Sequence, residues 1–191
     1  MKPITLLIVL SFLFMPAVHG VDISETCADK KTFKLHLVSV AKGCKKHQLS
    51  LGVGAIPPSD FPKYDLDPIL KNRFLVARKV AEQEGVYLKI TSGFRSIERQ
   101  TFLFNRALKR YGSYREATRW VSPPEISHHP KGNAIDVNYP DQPESARWLE
   151  NNGWKFGLCR VFKNEWWHFE PITAPGKKCP PMLKDASDLL K

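Results

Sequence analysis

The sequence predicts an α+β fold, and three observations carry that expectation. Segments with apolar residues at helical spacing alternate with short runs of period-two spacing, each bounded by Gly, Pro or Asp. The 191 residues are 42% hydrophobic and 25% charged, the balance of a chain that builds one domain around its own core. No internal repeat or low-complexity tract breaks the pattern.

The first twenty residues, MKPITLLIVLSFLFMPAVHG, stand apart from that core. One lysine precedes an apolar run from Ile4 to Met15, and small residues lead to a cleavage position after Gly20. This is the layout of a secretory signal peptide, so residues 1–20 are expected to be removed and the protein exported, to a periplasmic or extracellular site. The run is short for a membrane span, and no later stretch is long and apolar enough to supply one. Residues 21–62 read as an irregular N-terminal extension. Its Gly52 and Gly54 begin a GxG, but Pro57 stands where a dinucleotide fingerprint needs glycine.

The main domain is expected over residues 63–173. Asp67 suits an N-cap and Pro68 a first turn; Leu70, Phe74, Ala77 and Ala81 then fall on one helical face until Gly85. VYLKIT alternates Val86, Leu88 and Ile90 as a half-buried strand does. SGFR turns the chain into a second helix, about Ser96 to Arg110, ending near Gly112 with Leu103, Ala107 and Leu108 toward the core. Pro123 and Pro124 interrupt it, and residues 127–138 read as two extended pieces joined by a turn at PKG. A third helix starts near Pro143 and stops at Gly153. WKFGLCRV and EWWHFEPI read as two strands joined by a KN turn, and a basic, proline-containing tail over 174–191 turns weakly helical.

Four cysteines contain no CxxC pair, which argues against a zinc ribbon or a thioredoxin-like site. An even count in an exported chain favours two disulfides. Of the three pairings, Cys27–Cys44 and Cys159–Cys179 are preferred because each closes a local loop. The net charge of +10 favours anionic surroundings, such as cell-wall polymers or lipid surfaces. The basic residues are spread along the chain and no nucleic-acid motif is present, so a nucleic-acid partner is not expected.

A catalytic zinc takes three protein ligands and keeps one position open. The chain after residue 20 offers His36, His47, His128, His129 and His168, with no HExxH helix. The ligands must then come from strands and loops. In an extended chain His128 and His129 point apart, and a turn at Gly132 returns Asp136 to the level of one of them. EWWH offers a third donor, with Glu165 and His168 beside Trp166 and Trp167.

These residues resemble a known family. Ser127, His129, Gly132, Ala134 and Asp136 match the SxHxxGxAxD pattern of the LAS metallopeptidases, and Glu165, Trp167 and His168 match ExWH. SGFRSIERQ resembles the SGYRSxxxQ segment of VanY-like D-alanyl-D-alanine carboxypeptidases, and ARWLENNGWKFGL is similar to the segment those enzymes carry between the two metal motifs. The resemblance runs from Asp67 to Ile172. It implies a LAS or hedgehog-like fold: a small antiparallel sheet carrying a zinc site, flanked by helices. It implies Zn2+ held by His129, Asp136 and His168, Glu165 as general base and Arg95 as the oxyanion donor. Ser127 and Gln100 then position substrate, and His128 is a neighbour that points away. The implied activity is a D-alanyl-D-alanine carboxypeptidase acting, as a monomer, on peptidoglycan stem peptides. The alternatives are a cell-wall endopeptidase or dipeptidase on the same scaffold, or a non-catalytic zinc-containing binding protein. Trp166, where many relatives have proline, and the continuation HFEPI are departures in segments that shape the substrate pocket.

Overall fold

The structure, a computed structural model, describes residues 24–53 and 65–191. The expected signal peptide and most of GVGAIPPSDFP lie outside the described residues.

Residues 24–53 form a three-stranded antiparallel sheet rather than an irregular extension. Its strands are β1 (Ser24–Asp29), β2 (Leu35–Ser39) and β3 (Gln48–Val53), in the order β2-β1-β3. The sequence hides these strands because only the central one is well buried, so the outer two show no clean alternation. The Cys27–Cys44 disulfide ties β1 to the β2–β3 connection. Leu35, Leu49 and Leu51 pack on the main core, and Phe33 is buried within it.

The main body is a four-stranded antiparallel sheet of β4 (Ile90–Ser92), β5 (Ile135–Val137), β6 (Cys159–Arg160) and β7 (His168–Glu170), ordered β4-β5-β7-β6. Helix α1 (Pro68–Gln83) buries Leu70, Phe74, Ala77 and Ala81, the face that the spacing predicts. Asp67 caps it by accepting from the Ile69 and Leu70 N–H groups, and Gly85 leaves it at φ +76°. Its core partners include Ile135, Val137 and Phe169, the inward residues of β5 and β7.

Helix α2 (Ile97–Tyr111) starts at a Ser96 cap and ends at left-handed Gly112. It buries Gln100, Phe104 and Ala107, while Leu103 and Leu108 are partly buried. Phe104 and Ala107 form a second apolar cluster with Ala117 of α3 (Tyr114–Thr118), a five-residue helix too short to show a period in the sequence. Helix α4 (Pro143–Asn152) follows the expected bounds.

Three expected strands are shorter than their patterns, EWWHFEPI being a strand only over His168–Glu170. Of VYLKIT only Ile90 and Thr91 join the sheet, with Ser92 after them, because Asn138 takes the ladder's place at Lys89. The Asn138 Oδ1 accepts from the Lys89 N–H at 3.1 Å, and the Asn138 N–H donates to the Lys89 carbonyl at 2.9 Å. The residues of WKFG up to Phe156 form a 3-10 turn before β6.

The C-terminal segment lies against the main sheet. Cys179 is bonded to Cys159 of β6, and the Leu183 N–H donates to the Val161 carbonyl at 2.9 Å. Both disulfide pairings are those preferred from loop length. Ala186–Leu190 ends the chain as a 3-10 helix. No helix among the described residues is long and apolar enough to cross a membrane.

Candidate active site

Strand register places the first two site residues. Asp136 on β5 stands opposite His168 on β7 and opposite Ser92 on β4. Alternation then sends Ile135, Val137 and Phe169 into the core and Asp136 and His168 to the other face. His129 reaches the same point from the loop before β5.

That loop is not the extended pair expected for residues 127–138. His129–Lys131 is a 3-10 turn, and His128 has helical backbone angles. Pro130 cannot donate to a ladder, and Gly132 turns the chain at φ +69°. A Cβ at Gly132 would lie 2.6 Å from the Asp65 carbonyl oxygen, so only glycine fits there. Its own carbonyl accepts from the Asp67 N–H at 3.1 Å, which ties the site loop to the start of α1.

One donor atom from each of His129, Asp136 and His168 lies within 4.8 Å of the others, and all three residues are buried. His129 Nδ1–H donates to the Gly93 carbonyl at 2.7 Å, leaving Nε2 as its free lone pair, 3.4 Å from Asp136 Oδ1. His168 Nε2–H donates to Glu170 Oε1 at 2.8 Å, and its Nδ1 faces the same Asp136 oxygen at 3.2 Å. Two imidazole nitrogens and one carboxylate oxygen, with the outer nitrogens engaged by protein, fit a zinc-type cation. Glu25, Cys27 and Cys44 also lie together, but both sulfurs are spent in the disulfide.

Burial holds His129 below its ordinary pKa, against the pull of Asp136, so it stays a neutral donor. Burial resists charge on His168, but Asp136, Glu170 and Glu165 outweigh it and raise its pKa to about 10. Burial likewise opposes ionisation of Asp136, yet His129, His168 and Arg95 keep it well below the carboxylate range.

Glu165 sits on the turn before β7, with Oε2 3.7 Å from His168 Nδ1. Burial raises its pKa to about 7; the carboxylates of Asp136 and Glu170 add to this, while His168 and Arg95 oppose it. A carboxyl group poised near neutrality both accepts and returns a proton readily.

Arg95 follows β4 and is aimed at the site by three partners. Its Nε donates to Ser92 Oγ at 2.9 Å, Nη1 to Gln100 Oε1 at 3.3 Å, and Nη2 to Asp136 Oδ2. Gln100, buried in α2, donates from Nε2 to the Ser122 carbonyl at 2.6 Å, so both of its polar ends are engaged by the protein. Ser127 is buried on the cleft wall. The cleft measures about 710 Å³, and Trp167, Tyr139, Phe162 and Leu189 line it beside the polar groups. Trp166 packs instead against the core.

All seven residues singled out from the sequence thus line one cleft. Two further residues belong with them. Glu170 is buried against His168, and His128 does not point away: its Nδ1 lies 2.6 Å from Glu170 Oε2, and the residue lines the cleft. The alternation His-x-Glu on one strand was the available signal for Glu170.

A family model for VanY, D-alanyl-D-alanine carboxypeptidase, matches residues 63–171. The chain belongs to this family. A D-alanyl-D-alanine carboxypeptidase of Enterococcus faecalis is 29% identical over 129 residues, covering 56% of this chain and 47% of the relative. The VanY-family chain thus spans about half the length of that relative. Among solved structures it is similar to a vancomycin resistance D,D-pentapeptidase VanY mutant from a VanB-type cassette, in complex with Zn(II). That likeness has a TM-score of 0.51 and 26% identity, covering 57% of this chain and 74% of the other. It is also similar to VanYB in complex with D-Alanine-D-Alanine, with a TM-score of 0.52, 25% identity, and coverage of 57% and 72%.

Proposed function

We propose that the chain is an exported zinc peptidase that removes the terminal D-alanine from peptidoglycan stem peptides. The observation that carries this reading is the convergence of His129 Nε2, Asp136 Oδ1 and His168 Nδ1 in an open cleft beside Glu165. Zinc held there supplies a Lewis acid that lowers the pKa of water to about 7 and polarises a peptide carbonyl.

The protein groups perform the rest. Glu165 takes a proton from the attacking water and returns it to the leaving amine of D-alanine. Arg95, anchored by Ser92 and Gln100, presents its guanidinium where negative charge develops on the scissile carbonyl oxygen. Ser127 offers a hydroxyl on the same wall for the peptide. Trp167 and Tyr139, with ring centroids 4.2 Å apart, form an apolar side that limits water. The bound D-Alanine-D-Alanine of the VanYB structure supports the choice of substrate. The apolar segment Ile4–Met15 and two disulfides support export.

The test joins metal content to cleavage of a stem pentapeptide ending in D-Ala-D-Ala, for the unmodified protein and Glu165→Ala. About one zinc in both, with D-alanine released only by the unmodified protein, is expected. Zinc without D-alanine release moves the reading to an endopeptidase or dipeptidase. Absence of zinc from both defeats it.

A further inference from the structure

Glu170 has no part in the chemistry above, yet it is among the least exposed acids in the protein, at 4%. It lies two residues beyond His168 on β7 and so shares its face. Both carboxylate oxygens meet imidazoles. Oε1 accepts from His168 Nε2 at 2.8 Å, and Oε2 lies 2.6 Å from His128 Nδ1. His128 in turn has a side chain 40% exposed on the cleft wall. A continuous path therefore runs from a cleft-facing imidazole, through a buried carboxylate, to one of the three donors.

We propose that Glu170 is a positioning residue for His168, and that His128 braces Glu170. The inference rests on the zinc reading above and assigns what sets the metal's third donor. An imidazole can offer either nitrogen, and the hydrogen bond made by one decides which is left to bind. A fixed carboxylate behind Nε2 keeps the proton there and turns the Nδ1 lone pair toward Asp136 and His129. The two histidine donors differ in this respect. His129 leans on a neutral backbone carbonyl, Gly93, whereas His168 leans on a charged side chain. That side chain needs a partner of its own, because a buried carboxylate oxygen without one is costly. His128 supplies it from the cleft side. The adjacent histidines in SHHPKG thus serve the same site in different ways: one is a donor, and the other holds the brace of the opposite donor.

The test measures zinc affinity by chelator competition, and the visible spectrum of the cobalt-substituted protein, for Glu170→Ala, Glu170→Gln and His128→Ala. Glu170→Ala is expected to weaken zinc ~10–100-fold and to shift the cobalt bands. Glu170→Gln keeps an oxygen to accept from Nε2–H, so its loss is smaller. His128→Ala, which leaves Glu170 in place but unbraced, falls below Glu170→Ala. Native zinc affinity with a native cobalt spectrum in Glu170→Ala, folded by far-UV circular dichroism, overturns the proposal. If Glu170→Ala does not fold, the same result in Glu170→Leu, which removes both acceptor oxygens and keeps the volume, overturns it. Native affinity in these variants sinks the positioning role alone, whereas failure of the unmodified protein to bind zinc sinks both this role and the function beneath it.

Discussion

The two sheets of this protein are built by opposite means. The N-terminal sheet has strands of five or six residues, mostly half-buried, with a disulfide across it. None of its residues lines the cleft. The main sheet has strands of two or three residues, and those of β5 and β7 are buried throughout. Yet this second sheet carries two of the three candidate donors, Asp136 and His168. Strand length therefore does not decide where a precise site is built. Three buried residues on each of two paired strands suffice, because Ile135, Val137 and Phe169 lock the register from the core side. A slip of one residue would send Asp136 into that core and Ile135 into the cleft.

The contrast makes several predictions. The largest effect belongs to the chemistry of the main sheet's open face: Glu165→Gln should lower kcat about 10²–10⁴-fold while zinc content stays unchanged. Steady-state release of D-alanine, with metal analysis, checks this; loss of zinc together with activity would mean that Glu165 mainly holds the donors in place. On the opposite face, Phe169→Ala should cost about 3–5 kcal/mol in denaturant unfolding. It should also weaken zinc binding, since Phe169 lies beside His168 on β7.

The N-terminal sheet should behave differently. Replacing Cys27 and Cys44 together by serine should cost about 2–4 kcal/mol and leave zinc affinity unchanged. If zinc affinity falls as far as it does in Phe169→Ala, the two sheets are one cooperative unit and the contrast fails. The smallest effect is expected at Asp67→Ala, which removes the cap of α1 and should cost about 1 kcal/mol. Because the Asp67 backbone meets the Gly132 carbonyl, a change in zinc affinity there would show that the cap also holds the site loop.

What could be read in advance follows from how local each feature is. Helices α1 and α4 were legible with their bounds because caps, prolines and apolar spacing lie within a few residues of one another. The candidate donors His129, Asp136 and His168 were legible because their residue types stand in a recognisable order. The N-terminal strands were not, since their outer members face water on much of both sides. Helix α3 was too short to show a period.

The sequence by itself carried helices α1, α2 and α4, the chemical types of the candidate donors and, through loop length, a preference for the two disulfides that form. Tertiary structure alone decided which nitrogen each histidine offers. Gly93 sits 36 residues before His129 and backs its Nδ1, while Glu170, on the strand of His168, backs that histidine's Nε2. It alone brought His128 to Glu170 across 42 residues, reversing the expectation that His128 faces away. The reason is geometric. Backbone period tells which face a residue takes within one element, but a loop histidine and a strand carboxylate meet only once the sheet has closed and the 3-10 turn at Pro130 has set the angle between them.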